Sequence, residues 1–152
     1  MQKLAHPGLV LRQINDDLIR FVLAGPCLGL PDGSLPSEEE AARLGQKLRD
    51  EYWLVDEDEP PFTLRHRADV RRMMVAGLFA GPRANDTPED RDRKTALRRD
   101  ALAVCTAARD YFLNGPPREA GAEPMARWAA LDEELREVQA LHYAAFVAPE
   151  DP

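Results

Sequence analysis

The chain has 152 residues, with 27 acidic against 20 basic side chains, a net charge of −7 and a pI of about 5.0. That length makes one ordinary domain, or one with an appendage, and 44% hydrophobic with 31% charged residues is a globular rather than a disordered balance. The overall field has the wrong sign for a fold that holds nucleic acid through its net charge, so only a local basic patch would serve that purpose.

LVLRQI (9 to 14) is short and alternating enough to predict a strand. Asn15 then reads as an N-cap for DDLIRFVLA, with Asp16 and Asp17 at the positive helix end and Gly25-Pro26 as the stop. After the loop GLPDGSLP, Ser37 and Glu40 make a capping box for a helix over 38 to 51, with Ala41, Leu44 and Leu48 on its apolar face. YWLV and FTLR, separated by the acidic DEDEPP, predict a β-hairpin. From Ala68 a helix with Val70, Met73, Met74, Gly77 and Leu78 at helical spacing runs to Gly81-Pro82.

RANDTPEDRD reads as a solvated linker, and Thr87-Pro88 as a helix start. Leu97, Ala101, Val104, Cys105, Ala108, Tyr111 and Phe112 then form a stripe at spacings of three and four. NGPPREAGAEP interrupts the chain. Beyond Pro124, Trp128, Leu131, Leu135, Val138, His142 and Ala145 repeat that spacing, which predicts two long helices facing each other as an antiparallel hairpin. The fold class expected is therefore mainly α with a small β-hairpin: a winged-helix-like domain (1–81), a linker and helix start (82–94), a helical hairpin (95–147) and a frayed tail (148–152).

The order strand, helix, helix, hairpin, helix is that of a winged helix without its usual first helix, because MQKLAHP is too short and carries a proline. Either the chain begins inside the fold or that helix comes from elsewhere. In DNA-reading winged helices the helix before the hairpin enters the major groove and the wing approaches the backbone. Here that helix opens with Glu38, Glu39 and Glu40, and the wing carries Asp56, Glu57, Asp58 and Glu59. Nucleic acid is not the expected partner, since like charges at about 4 Å repel by roughly 4 kcal/mol at an effective dielectric near 20.

The run LRHRADVRRMM (64 to 74) is the basic exception in an acidic chain. With PGLVLRQINDDLIRFVLAG and EEEAARLGQKLRDEYWLV it resembles the winged-helix domain that follows the ATPase core in bacterial STAND-type, NLR-like and AAA-related NTPases. ALAVCTAARDYF and EVQALHYAAF are similar to the helices that follow that domain, and the resemblance spans about residues 7 to 146. It implies a lid that docks on an ATPase core, with Arg65, His66, Arg67, Arg71 and Arg72 facing that core or its nucleotide phosphates. The Met-His-Asp motif that related eukaryotic members carry after the hairpin is replaced here by His66-Arg67 followed by Asp69 and Arg71, a different spacing. Guanidinium groups suit phosphate or carboxylate equally. Two other readings of the arginines stay open: Arg71 and Arg72 as the wet side of a helix backed by Val70, Met73 and Met74, with Arg67 paired to Asp69 or the acidic wing, or contacts to nucleic acid.

No GxxxxGK[ST] occurs, so the chain is not itself expected to bind nucleotide as a P-loop ATPase, and no cofactor is expected. His6, His66 and His142 lack ligand spacing with each other or with the cysteines, so no metal is expected either. Cys27 and Cys105 have no CxxC and no adjoining histidine, which predicts buried thiols in a reducing compartment, with a disulfide as the alternative. The N-terminus lacks the apolar run of a signal peptide and no stretch reaches the roughly 20 apolar residues of a membrane span, so a cytoplasmic location is expected. No nucleophile stands near a base. The expectation is a non-enzymatic regulatory module whose partner is an ATPase core or another protein domain. The alternatives are a small winged-helix transcription regulator or a stand-alone helical interaction domain.

Overall fold

The structure, a computed structural model, describes residues 7–30, 34–51 and 53–147; the short N-terminal segment with His6, Tyr52 and the expected frayed tail lie outside them. A 3-10 turn, Gly8–Val10, leads into strand β1, Gln13–Ile14. The strand expected over 9 to 14 is thus confined to its last two residues. Leu9, Val10 and Leu11 are fully buried, and a turn can send three consecutive apolar side chains inward where an alternating strand cannot.

Asn15 caps the following helix as its sequence predicts, accepting a hydrogen bond from the Leu18 amide at 2.9 Å. That helix, α1 (16–28), is built of Asp16–Leu18, a π-helical stretch Ile19–Leu23, and Ala24–Leu28. Gly25-Pro26 does not end it. The π stretch breaks the i→i−4 ladder just upstream, so Pro26 falls in the first turn of Ala24–Leu28, where a missing N–H removes little. The stop is Gly29, in the left-handed conformation at φ 60°. Helix α2, Glu38–Arg49, has the predicted capping box: Ser37 Oγ accepts from the Glu40 amide at 3.1 Å and the Glu40 carboxylate from the Ser37 amide at 2.9 Å.

Strands β2, Val55–Glu57, and β3, Leu64–His66, form the hairpin, and β3 also pairs antiparallel with β1. The sheet order β1-β3-β2 places Arg65 between Gln13 and Asp56. Period-two alternation on β3 turns Leu64 and His66 into the core and Arg65 outward. The chain order strand, helix, helix, hairpin, helix is the order expected from the sequence. Helix α3, Ala68–Phe79, follows at once; Leu78 is buried, whereas Met73, expected on the apolar face, is 73% exposed.

Helix α4, Pro88–Asn114, starts at Thr87, whose hydroxyl accepts from the Asp90 amide at 3.2 Å. Its stripe Ala101, Val104, Cys105, Ala108, Tyr111 and Phe112 is buried in the same core as α1 and β3. Tyr111 stacks on Phe21 of α1 at 6.2 Å between ring centres, and Phe112 on Tyr143 at 6.1 Å. Helix α4 thus packs on α1 within one shared core.

The second long helix is broken in two, α5, Ala122–Ala129, and α6, Glu133–Val147. Asp132 causes the break by capping α6 from the loop, accepting from the Leu135 amide at 3.1 Å, while the Arg136 guanidinium lies 4.3 Å above the Trp128 ring. Ala140 and Tyr143 face inward against the antiparallel α4 and Gln139 is buried toward Gln13, while Val138, placed by periodicity on the buried stripe, is 54% exposed. Among the described residues no helix is long and apolar enough to cross a membrane.

Candidate anion-binding groove

The segment 10–13, which carries the chain into β1, is held from several directions. His66 Nδ1 donates to the Leu11 carbonyl oxygen at 2.7 Å, and the His66 amide to that of Arg12 at 3.0 Å. Arg71 Nη2 donates to the Val10 carbonyl oxygen at 2.9 Å, and the Arg12 amide to the Tyr143 hydroxyl at 3.3 Å. Gln139 on α6 reaches the Gln13 side chain at 3.0 Å. Two members of the basic run, His66 and Arg71, are thus spent on the backbone.

Above this floor, β1, β3, α3 and α6 enclose an open groove of about 810 Å³. Arg12, Arg65, Arg71 and Arg72 line it together with His66 and His142, and no carboxylate is among its lining residues. Arg12, Arg65 and Arg72 are exposed and form no ion pair among the described residues. Arg67 lies apart; its guanidinium turns back to Asp69 at 3.3 Å on the outer surface.

Burial and the Arg12 guanidinium both work against the charge on Arg71, lowering its pKa. Burial, then Arg71 and Arg12, push His142 down as well. Burial holds His66 at about 4, despite the opposing pull of the Leu11 carbonyl, so its ring is neutral at pH 7. Four guanidiniums gathered in one concavity repel one another, with Asp56 opposite Arg65 in the sheet register but outside the groove lining, and an anion placed among them relieves that repulsion.

Of the five residues singled out by sequence, the groove gathers Arg65, His66, Arg71 and Arg72 and leaves out Arg67. It adds Arg12, which sequence reasoning passed over. Only the β1–β3 register, which sets Gln13 against Arg65, brings Arg12 to the same place, and strand pairing has no local signature. His142 also joins the groove, and its Nε2 has no hydrogen-bond partner among the described residues.

Compared with family models, curated proteins and solved structures, the chain matches none. No cluster of three or more His, Cys, Asp or Glu that could hold a metal occurs among the described residues. Both cysteines are buried free thiols, raised by burial to about 12.

Proposed function

We propose that the chain is a non-enzymatic interaction module of winged-helix type, which docks through the groove of Arg12, Arg65 and Arg72 on an anionic surface of another protein domain. The ATPase core of a STAND-type switch is the partner that the sequence resemblance favours. The observation that carries the reading is the gathering of guanidiniums without an ion pair, from the segment leading into β1, from β3 and from α3, into one concavity, in a chain of net charge −7. Exposed arginines on an acidic protein ordinarily find carboxylates close by; these three face a groove lined by none.

A DNA-reading role is disfavoured by charge. Glu39 and Glu40 stand exposed on the first turn of α2, and Asp56, Glu57 and Glu59 on and beside the wing, where phosphates would have to approach. The test titrates the chain with a fluorescent acidic peptide and with a short DNA duplex at low ionic strength. The peptide should bind, and Arg65→Glu with Arg72→Glu should abolish binding, whereas Arg67→Glu should leave it intact. Tighter binding of the duplex than of the peptide would favour the transcription-regulator reading instead.

A further inference from the structure

Helix α6 carries two apolar stripes. One, through Ala140 and Tyr143, is buried against α4. The other, Val138, Leu141 and Ala145 at spacings of three and four, faces outward, with Leu141 71% exposed. Leu113 of α4, 56% exposed, extends it, and between the two helices runs an apolar groove of about 240 Å³. Ala140 and Ala144 form its floor, Leu113 and Leu141 its walls, and Arg109 and Glu137 its charged rim.

The rim charges sit at opposite ends. Antiparallel packing with Phe112 beside Tyr143 puts Arg109, nearly one turn before Phe112, toward the C-terminal end of α6. Glu137 lies near the N-terminal end of α6 and makes no ion pair among the described residues. Arg109 is held only by its chain neighbour Asp110, at 2.7 Å and partly exposed.

We propose that this face is the contact between two copies of the chain, packed about a twofold axis across α6. Such an axis reverses α6 onto its copy, so the Arg109 end of one groove meets the Glu137 end of the other, twice by symmetry. Each Leu141 then seats over the alanine floor of the opposite copy, and the three-four spacing supplies the seam of an antiparallel helix pair. The exchange of charged ends under the twofold selects a second copy as the occupant. The leucines supply the attraction, while the exposed rim pairs set orientation. Gln139 and His142 point to a different side of α6, into the basic groove, so the pairing is independent of the docking reading.

The test is sedimentation equilibrium of the full chain over a wide concentration range, with far-UV circular dichroism to verify folding. The chain should show a concentration-dependent monomer–dimer equilibrium. Leu141→Glu should raise the dimer Kd by about tenfold or more, a change of at least roughly 1.4 kcal/mol, with the helical signal retained. Arg109→Glu and Glu137→Arg should each weaken pairing, and the two together should restore it. A monomer at every concentration, a dimer indifferent to Leu141→Glu, or a double variant no better than the single ones would each overturn the proposal.

Discussion

The His66 ring donates its Nδ1 proton to the Leu11 carbonyl at 2.7 Å, which fixes the tautomer and leaves Nε2, buried and without a partner among the described residues, as a bare acceptor. A second proton on that ring would meet burial and the nearby Arg71 charge. In the unfolded chain the imidazole takes its proton at the ordinary 6.5; in the folded chain it resists down to about 4. The folded pKa is depressed, so as pH falls the unfolded state binds the proton first. Stability from this group is full above 6.5 and declines between 6.5 and 4, by roughly 3 kcal/mol in total. Urea melts across that range should show the decline, and His66→Asn should flatten it; a histidine-independent slope would contradict the assignment.

The two cysteines give a sharper check on the shared core. Cys27 lies on α1 and Cys105 on α4, both 1% exposed or less, and burial raises both thiols to about 12. Thiolate, the reactive form, is scarce at neutral pH in such sites. A thiol reagent should modify neither in the folded protein and both in denaturant, with the two reacting together. If Cys105 reacted while Cys27 stayed protected, α4 would open independently of α1, and the core would not be one cooperative unit.

Much of the fold was legible locally. Caps at Asn15, Ser37 and Thr87 each depend on a side chain and an amide three residues apart, and all form as their sequences predict. What escaped was set over long range. The proline in α1 is tolerated because a π turn precedes it, and the last helix is split where Asp132 caps α6 beside the Arg136–Trp128 contact. Helix α6 bears two apolar stripes, and periodicity cannot say which one faces inward. The basic run was visible as composition, but its division into backbone staples, groove lining and outer surface required the sheet register.

Arg127 on α5 ties the last part of the chain to the first. Its guanidinium makes a bidentate pair with Asp17, at 2.8 and 3.0 Å, and also reaches Glu38 at 2.9 Å. Those hydrogen bonds raise the pKa of Arg127 and lower that of Glu38. Asp17 is buried, and removing Arg127 would leave its carboxylate without a counter-charge. Arg127→Ala should cost about 1–3 kcal/mol in chemical denaturation, the range for a charged hydrogen bond, and Asp17→Asn with Arg127→Ala should cost less than the two single changes summed. Full additivity would mean that the pair does not couple.

Gly115 ends α4 at φ 83° and ψ −175°, a region open essentially to glycine alone. A Cβ there would also come within 3.1 Å of the Trp128 ring and 3.2 Å of the Met125 sulfur. Strain and crowding therefore act together, and Gly115→Ala should destabilise by about 1–3 kcal/mol. The same change at exposed Gly77, in the interior of α3 with open space around it, should be neutral or stabilising by up to about 1 kcal/mol. A melting temperature for Gly115→Ala equal to that of the unaltered chain would remove the case for this turn as the pivot that brings α5 back onto α1.

Arg71 and Arg72 are adjacent in sequence and opposite in role. Arg71 donates to the Val10 carbonyl and is half-buried, so Arg71→Ala should leave a buried acceptor unmet and cost about 1–3 kcal/mol. Arg72 is exposed and without an ion pair among the described residues, in a groove of like charges, so Arg72→Ala should be neutral to slightly stabilising, within about 0.5 kcal/mol. Salt should act in the same sense: screening the repulsion among Arg12, Arg65 and Arg72 should stabilise the unaltered chain more than the Arg72→Ala variant. Denaturation midpoints at low and high salt check all three expectations. A residue that weakens stability yet remains exposed is one whose use lies outside the fold. Equal destabilisation by the two alanine substitutions would return Arg72 to the structural set and leave the groove with two free guanidiniums instead of three.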